Sequence, residues 1–259
     1  MTPVGAVDGR DEQLRRLRAD WETLGAADPL WAVYVKDGAR DGGWDVTEFL
    51  ATGEREIADS WARHAEVVGS PPPADGTVLD FGCGVGRLGS ALAARSRRVI
   101  GVDLSEPMLR TWPDVVPAAV RPRMMPVLSS SASIPLRDAS IDLVYTSLVL
   151  QHMPAELAVG YLREFLRVLK PGGTAMVQVA DRPDTSVKGR AFRFLPPGLY
   201  GWLQQRLLGY PAPMRMQQLT LDDVAATAAA SGGRILADWE DTSYGGHWHY
   251  RRILISRAA

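Results

Sequence analysis

Val78-Leu79-Asp80-Phe81-Gly82-Cys83-Gly84-Val85-Gly86-Arg87-Leu88-Gly89 sets three alternating glycines directly after an apolar run that contains an acid. Glycine is required where backbone passes close to a ligand at positive φ. A helix opening after such a turn offers free N–H donors to a polar or anionic group. Asp103 ends the next apolar run, where a carboxylate can accept both hydroxyls of a ribose. The two features together predict a nucleoside-bearing cofactor at the carboxyl edge of a sheet. Residues 84–89 fit G-x-G-x-x-G, so a nicotinamide dinucleotide is one reading. Two features oppose it. Asp80 stands just before the glycines, where it would repel a pyrophosphate. Gly82 also sets a D-x-G-x-G-x-G frame, in which the loop holds a zwitterionic amino-acid tail.

Histidine supplies the candidate bases. His152, in Leu150-Gln151-His152-Met153, follows a strand candidate, and an ordinary imidazole pKa near 6.5 suits a general base at neutral pH. A structural histidine bonded to backbone is the competing reading. His247 and His249 fall on one side if a strand has begun. No acidic cluster accompanies them, so no metal is expected, and His247 reads as a pocket-lining residue. Arg87 could neutralise a carboxylate, with an exposed first-turn arginine as the default reading, and Cys83 reads as a small packing residue.

These residues need a frame. Short apolar runs at Thr77–Phe81, Arg98–Asp103, Ile141–Thr146 and Thr174–Val179 alternate with helical stretches. That alternation predicts a parallel sheet with helices on both faces. Arg234–Trp239 and Tyr250–Ser256, joined across Gly245-Gly246, predict a closing antiparallel pair. Thr220 caps a helix running to Ser231, with Asp222 and Asp223 in its first turn. Before the core, residues 11–24 and 45–68 predict two helices, the second capped by Asp45 with Glu48. The breaker at 70–76 divides the chain into a helical cap, residues 1–70, and a core, residues 75–259, carrying a lid insertion over 181–218. Trp21, Trp31, Tyr34, Trp44 and Trp61 precede the core, and Phe192, Phe194, Tyr200 and Trp202 fall in the insertion. Aromatics over a cavity mouth suit a flat, apolar small molecule. Trp31, Tyr34, Tyr200 and His247 are the candidate acceptor contacts.

The chain has 259 residues, 29 Lys+Arg against 30 Asp+Glu, 46% hydrophobic and 23% charged. Global disorder is excluded by that balance, and near-neutral charge gives no footprint for nucleic acid. With one cysteine, there is neither an intrachain disulfide nor a cysteine zinc site. No run reaches the ~20 apolar residues of a membrane span, and the charged N-terminus lacks a signal-peptide core. A cytoplasmic enzyme without membrane or nucleic-acid partners is the expectation.

VLDFGCGVGRLGSALA, VIGVDLSEPML, SIPLRDASIDLVYTSLVLQHM and LREFLRVLKPGG followed by TAMVQVA occur in that order. Over about residues 77–257 this resembles the class I S-adenosylmethionine-dependent methyltransferases, specifically the small-molecule, type 11-like group. The resemblance implies a Rossmann-like seven-stranded, mostly parallel sheet ending in a reversed hairpin. It implies that Asp80, Gly82, Cys83, Gly84 and Gly86 approach the methionyl part of S-adenosylmethionine. Asp103 would bind the ribose, Leu104 would lie against the adenine, and Thr146 and Ser147 would close over the sulfonium. Where the family usually places an aspartate for the adenine amino group, this chain has Ser130, with Ser131 beside it; a hydroxyl accepts without charge assistance. The activity implied is methyl transfer to a small, aromatic or apolar secondary-metabolite acceptor. A nicotinamide-dependent oxidoreductase and a non-catalytic binding module of the same fold are the rivals.

Overall fold

The computed structural model describes residues 4–186, 189, 197–244 and 247–258. Phe192, Phe194 and the Gly245-Gly246 turn lie outside the described residues.

Seven strands form one sheet: β1 (Thr77–Phe81), β2 (Arg98–Asp103), β3 (Met124–Leu128), β4 (Ile141–Thr146), β5 (Leu169–Pro183), β6 (Gly233–Asp241) and β7 (Trp248–Arg257). Their order is β3-β2-β1-β4-β5-β7-β6. Neighbours from β3 to β5 pair in parallel, while β7 runs antiparallel to both β5 and β6. This is the Rossmann-like sheet with a reversed hairpin. The order in which strands are added reverses between β1 and β4, and in open α/β sheets ligands bind at that switch point, outside the carboxyl ends of the strands.

Both faces are covered, which explains the continuous apolar strands. Leu79 and Phe81 of β1, with Ile100 and Val102 of β2, share one cluster with α7 (Ala155–Val168). Val78 and Val99, of opposite parity, pack with α3 (Val46–Val68) and α4 (Arg87–Arg95) on the other face. Asp80 shares the parity of Val78, so it points toward the α4 layer.

At the amino end, α1 (Val4–Ala27) and α2 (Pro29–Val33) cover the carboxyl ends of the strands. α1 starts earlier than the pattern over 11–24 predicts, and α2 falls in a stretch read as loop. The α3 cap follows the sequence reading in part, with the Asp45 carboxylate accepting from the Glu48 backbone N–H at 2.8 Å. α3 lies in the layer beside α4 rather than over the sheet edge: a Cβ on Gly53 would stand 2.5 Å from the Arg87 carbonyl. Further along, α5 (Glu106–Arg110) and α6 (Trp112–Val115) follow β2, α8 (Pro197–Leu207) lies in the insertion, and α9 (Leu221–Ala230) carries the Thr220–Asp223 capping box. No described helix is long and apolar enough to cross a membrane.

Candidate functional site

The glycine loop leaves β1 and turns back under β2. Gly82 N–H donates to the Val102 carbonyl at 2.8 Å, and Gly86 N–H to Cys83 at 2.9 Å. All three glycines sit at positive φ, 73°, 50° and 87°. A side chain is also barred by space: a Cβ on Gly82 would meet Val149 at 2.3 Å. The loop is therefore a thin wall between sheet and cavity.

Asp103 is fixed from two sides. Its Oδ2 accepts the Gly84 N–H and its Oδ1 the Ser105 N–H, each at 2.8 Å. Burial pushes its pKa up, and the backbone donors of Ser105, Gly84 and Leu104 oppose that. Remaining lone pairs stay available to hydroxyl donors. Asp80 differs. It is 1% exposed, and its Oδ2 is buried with no hydrogen-bond partner. Burial drives its pKa up to about 7; Arg87 opposes, Asp103 and Glu56 reinforce, and the Gly89 N–H opposes. A buried carboxylate oxygen without a donor marks a place where a cationic or donor group of a ligand fits.

Both acids line one cavity at the carboxyl ends of the strands. Gly82, Cys83, Gly84, Leu104, Ser131, Ser147 and His152 line it too. Leu17, Trp21, Val33, Met108, Leu148, Val149, Met153 and Tyr161 supply apolar surface. Several sequence candidates lie elsewhere. Gly86 stands behind the loop against Val116 and Trp112. Ser130 is exposed, its hydroxyl 3.4 Å from Arg18, and Ser129 and Ser131 line the wall instead. Thr146 is buried, donating to the Phe81 carbonyl at 3.0 Å. Trp31 packs edge-on to Tyr210, and Tyr34 stands against Trp44 and Tyr244. Tyr200 is not part of the lining, and His247 sits 3.0 Å from the Ser186 hydroxyl beyond β5. The aromatic rings that line the cavity are instead Trp21 on α1, Phe81 at the end of β1 and Tyr161 on α7. Cys83 is buried, which raises its thiol pKa well above the usual range and keeps it protonated. Among the described residues no group of three or more His, Cys, Asp or Glu is arranged to hold a metal.

His152 packs edge-on against Trp21, ring centroids 5.1 Å apart. Its Nδ1 lies 2.7 Å from the Arg215 carbonyl, a pairing that requires Nδ1–H. Burial lowers its pKa to about 4, and the Arg215 carbonyl opposes that. The expectation of a base near 6.5 is corrected: the imidazole is neutral with a defined tautomer, but less basic than a free one. A ¹⁵N spectrum of the protein at pH 6 should show a neutral His152 protonated at Nδ1. An imidazolium signal at that pH would contradict the burial argument.

Arg87 is the largest departure from the sequence reading. It is not an exposed first-turn residue but 2% exposed, and it lines the cavity. Its Nη2 donates to Glu56 Oε2 and to the Tyr244 hydroxyl, both at 2.9 Å. Glu56 also accepts from Arg252 at 3.0 Å, from Tyr145 at 3.1 Å and from Tyr244. Arg252 reaches Asp241 at 2.5 Å, and Asp241 accepts from Gln178 Nε2 at 2.9 Å. Gln178 Oε1 in turn holds the Leu148 N–H at 2.8 Å. Leu148 lines the cavity at φ 61°, a left-handed conformation that costs a leucine energy and needs such an anchor. A sequence signal for this network exists in α3, whose buried stripe Phe49, Gly53, Glu56, Ile57, Ser60 and His64 carries a glutamate at a core position.

Residues 79–177 match a methyltransferase domain family. A probable S-adenosylmethionine-dependent methyltransferase of Mycobacterium tuberculosis is 34% identical over 142 residues, 51% of this chain and 48% of that protein. Trans-aconitate 2-methyltransferase of Azoarcus sp. is 33% identical over 140 residues, 52% of this chain and 50% of that protein. The chain spans about half the length of these curated relatives. Magnesium protoporphyrin IX methyltransferase of Synechocystis, solved with bound S-adenosylhomocysteine, superposes with TM-score 0.63 at 19% identity, covering 95% of this chain and 100% of that one. Residues 79–177 carry a methyltransferase domain, and with four motifs in register on the 3-2-1-4-5-7-6 sheet the chain is similar to the class I S-adenosylmethionine-dependent methyltransferases.

Proposed function

We propose that the chain binds S-adenosylmethionine in the cavity at the carboxyl ends of β1, β2 and β4, and methylates a small acceptor with aromatic or apolar character. The observation that carries this is the pair of buried acids on one wall. Asp103 is held by two backbone donors and so aimed for ribose hydroxyls, while Asp80 has a free oxygen for an ammonium group. An unpaired anion beside the glycine loop disfavours a pyrophosphate, which counts against a nicotinamide dinucleotide. The relatives' names support methyl transfer, and the apolar walls support the acceptor class. A role in secondary metabolism and a cytoplasmic location belong to the same proposal.

When bound, S-adenosylmethionine supplies an electrophilic methyl on sulfur. The chain's own contribution is alignment and exclusion of water. Asp103 and Leu104 orient the nucleoside, and Asp80 receives the ammonium. Trp21, Val149, Met153 and Tyr161 exclude solvent on the acceptor side. His152, kept neutral with its Nδ1–H on the Arg215 carbonyl, accepts the acceptor's proton at Nε2. α1 and α2, through Leu17, Trp21 and Val33, act as the cap.

Calorimetry tests this reading. Wild type should bind S-adenosylhomocysteine and not NADH. Asp103→Ala should weaken S-adenosylhomocysteine by about 2–4 kcal/mol, roughly 30- to 1000-fold. Equal affinity in wild type and mutant would remove Asp103 from the site.

A further inference from the structure

We infer that Asp20 and Arg215 form a positioning pair for His152, locking the tautomer that leaves a lone pair on Nε2; this rests on the reading of His152 as the acceptor's base. Neither Asp20 nor Arg215 lines the cavity. Asp20 Oδ2 accepts from Arg215 Nε at 3.2 Å, and the Arg215 carbonyl accepts from His152 Nδ1–H at 2.7 Å. Trp21, next to Asp20 on α1, packs edge-on against the His152 ring. The contacts close a ring: Asp20 to Arg215, Arg215 to His152, His152 to Trp21, and back along the chain to Asp20. The cap helix and the strap over 211–219 thus hold one imidazole between them. The strap itself is anchored on both sides of Arg215. Gln204 Nε2 donates to the Met214 carbonyl at 3.1 Å, and the Gln217 N–H to the Gln151 carbonyl at 2.6 Å. Those bonds tie it to α8 and to the short turn Leu150–His152, and the Arg215 side chain adds the tie to α1. The Asp20 side chain is 18% exposed, and burial pushes its carboxyl pKa up while Arg215 opposes that. A carboxylate so placed tethers a guanidinium better than a fully solvated one does.

The opposite tautomer has a partner at hand. Gln151 Nε2 stands 3.5 Å from His152 Nε2, and Gln151 Oε1 is buried with no partner. A half-turn of that amide would offer Oε1 to an Nε2–H. Nδ1, without its proton, would then face the Arg215 carbonyl, two acceptors opposed at 2.7 Å. The carbonyl therefore decides the tautomer for as long as it is held in place. Without the tether the carbonyl can withdraw, the amide can turn, and Nδ1 gives its proton to solvent while Nε2 takes one. An Nε2 already protonated has no lone pair for the acceptor's proton.

The test reads the tautomer from the ¹⁵N shifts of His152 in the full chain, labelled on histidine, at pH 7 without ligand. Wild type should show Nδ1–H. Asp20→Ala and Arg215→Met should each show both tautomers, the ratio of Nδ1–H to Nε2–H having fallen about three- to fivefold. Adding Gln151→Leu, which removes the competing acceptor, should restore Nδ1–H in either variant. Arg215→Lys, which keeps a cation for Asp20, should stay closer to wild type than Arg215→Met. A merely structural pair would lower the melting temperature and leave both ring nitrogens unmoved, and that result in both variants overturns the inference. Wild type with its proton on Nε2 overturns it as well. Calorimetry with S-adenosylhomocysteine on the same proteins tests the underlying reading separately. Wild type that fails to bind it overturns the methyl-donor reading whatever the tautomer. Wild type that binds it while the tautomer ignores Asp20 and Arg215 leaves that reading standing and removes only the positioning pair.

Discussion

Asp80→Asn is expected to raise the melting temperature of the ligand-free protein by about 5 °C at pH 8, and to weaken S-adenosylhomocysteine at least about tenfold. The two effects have one cause. Asp80 is buried, its Oδ2 has no donor, and burial holds its pKa at about 7 against an ordinary 3.8. An acid whose folded pKa lies above its unfolded value binds more protons when folded. Stability is therefore greatest below pH 4 with respect to this group, and falls as pH rises toward 7. Above pH 7 the penalty is about 4 kcal/mol. Asparagine removes the charge and part of that penalty, while losing the attraction for an ammonium group. At pH 5 the folded protein carries the Asp80 proton while the unfolded chain does not, so the penalty has fallen to about 1.5 kcal/mol and the mutant should gain less than half of what it gains at pH 8. Thermal melts at both pH values decide the matter, since a gain of the same size at pH 5 would show that burial of charge is not the cause. Binding an ammonium group should also pull the Asp80 pKa down. Wild-type affinity for S-adenosylhomocysteine should then fall by up to about tenfold per pH unit below 7, with proton release visible as a buffer-dependent enthalpy.

Much of this frame is legible in the sequence, for identifiable reasons. β1, β2, β4 and β5 are buried on both faces and so read as apolar runs, and the Thr220 cap reads from residue type alone. β3 is not legible. Met124-Met125-Pro126-Val127-Leu128 contains a proline and is mostly exposed, both consequences of its place at the sheet edge, where a missing N–H is tolerated. α2 escapes because its helix is a single turn between an Asp28 cap and Tyr34. At the site, the sequence candidates that line the cavity lie mostly in one contiguous loop and the strand end facing it. Which aromatics line the cavity does not read, because aromatic type says nothing about direction. Trp31 and Trp21 lie ten residues apart, yet one fills the cap's own core and the other faces the cavity. Arg87 fails for a related reason, since its partners Glu56 and Tyr244 are 31 and 157 residues away.

The same long-range network carries the other large effect. Arg252→Met is expected to destabilise the protein by about 3–5 kcal/mol, a fall of about 10 °C in melting temperature. Arg252 is buried among Glu56, Asp241 and Tyr145, with Ser147 at 3.5 Å. Burial alone would raise the Glu56 pKa, but Arg87, Arg252 and the hydroxyls of Tyr244 and Ser147 outweigh it and hold it at about 2. Asp241 is likewise held below its usual value, burial being outweighed by Arg252 and Ser243. Both folded pKa values lie below the unfolded ones, so their stabilisation is present above about pH 4.5 and is lost as pH falls toward 2. Methionine in place of Arg252 preserves the apolar stem but leaves Asp241 a buried anion facing only Gln178 and Ser243. Adding Asp241→Asn should recover part of the loss, because it removes the uncompensated charge rather than restoring the pair. The chain of contacts from Asp241 through Gln178 to the Leu148 N–H adds a second consequence. With its anchor loosened, Leu148 should relax from its left-handed conformation, so Arg252→Met should weaken S-adenosylhomocysteine although Arg252 does not line the cavity. Denaturant unfolding and calorimetry on the single and double variants check both parts. A loss under about 1 kcal/mol would mean that water reaches the pair, as it does in exposed salt bridges.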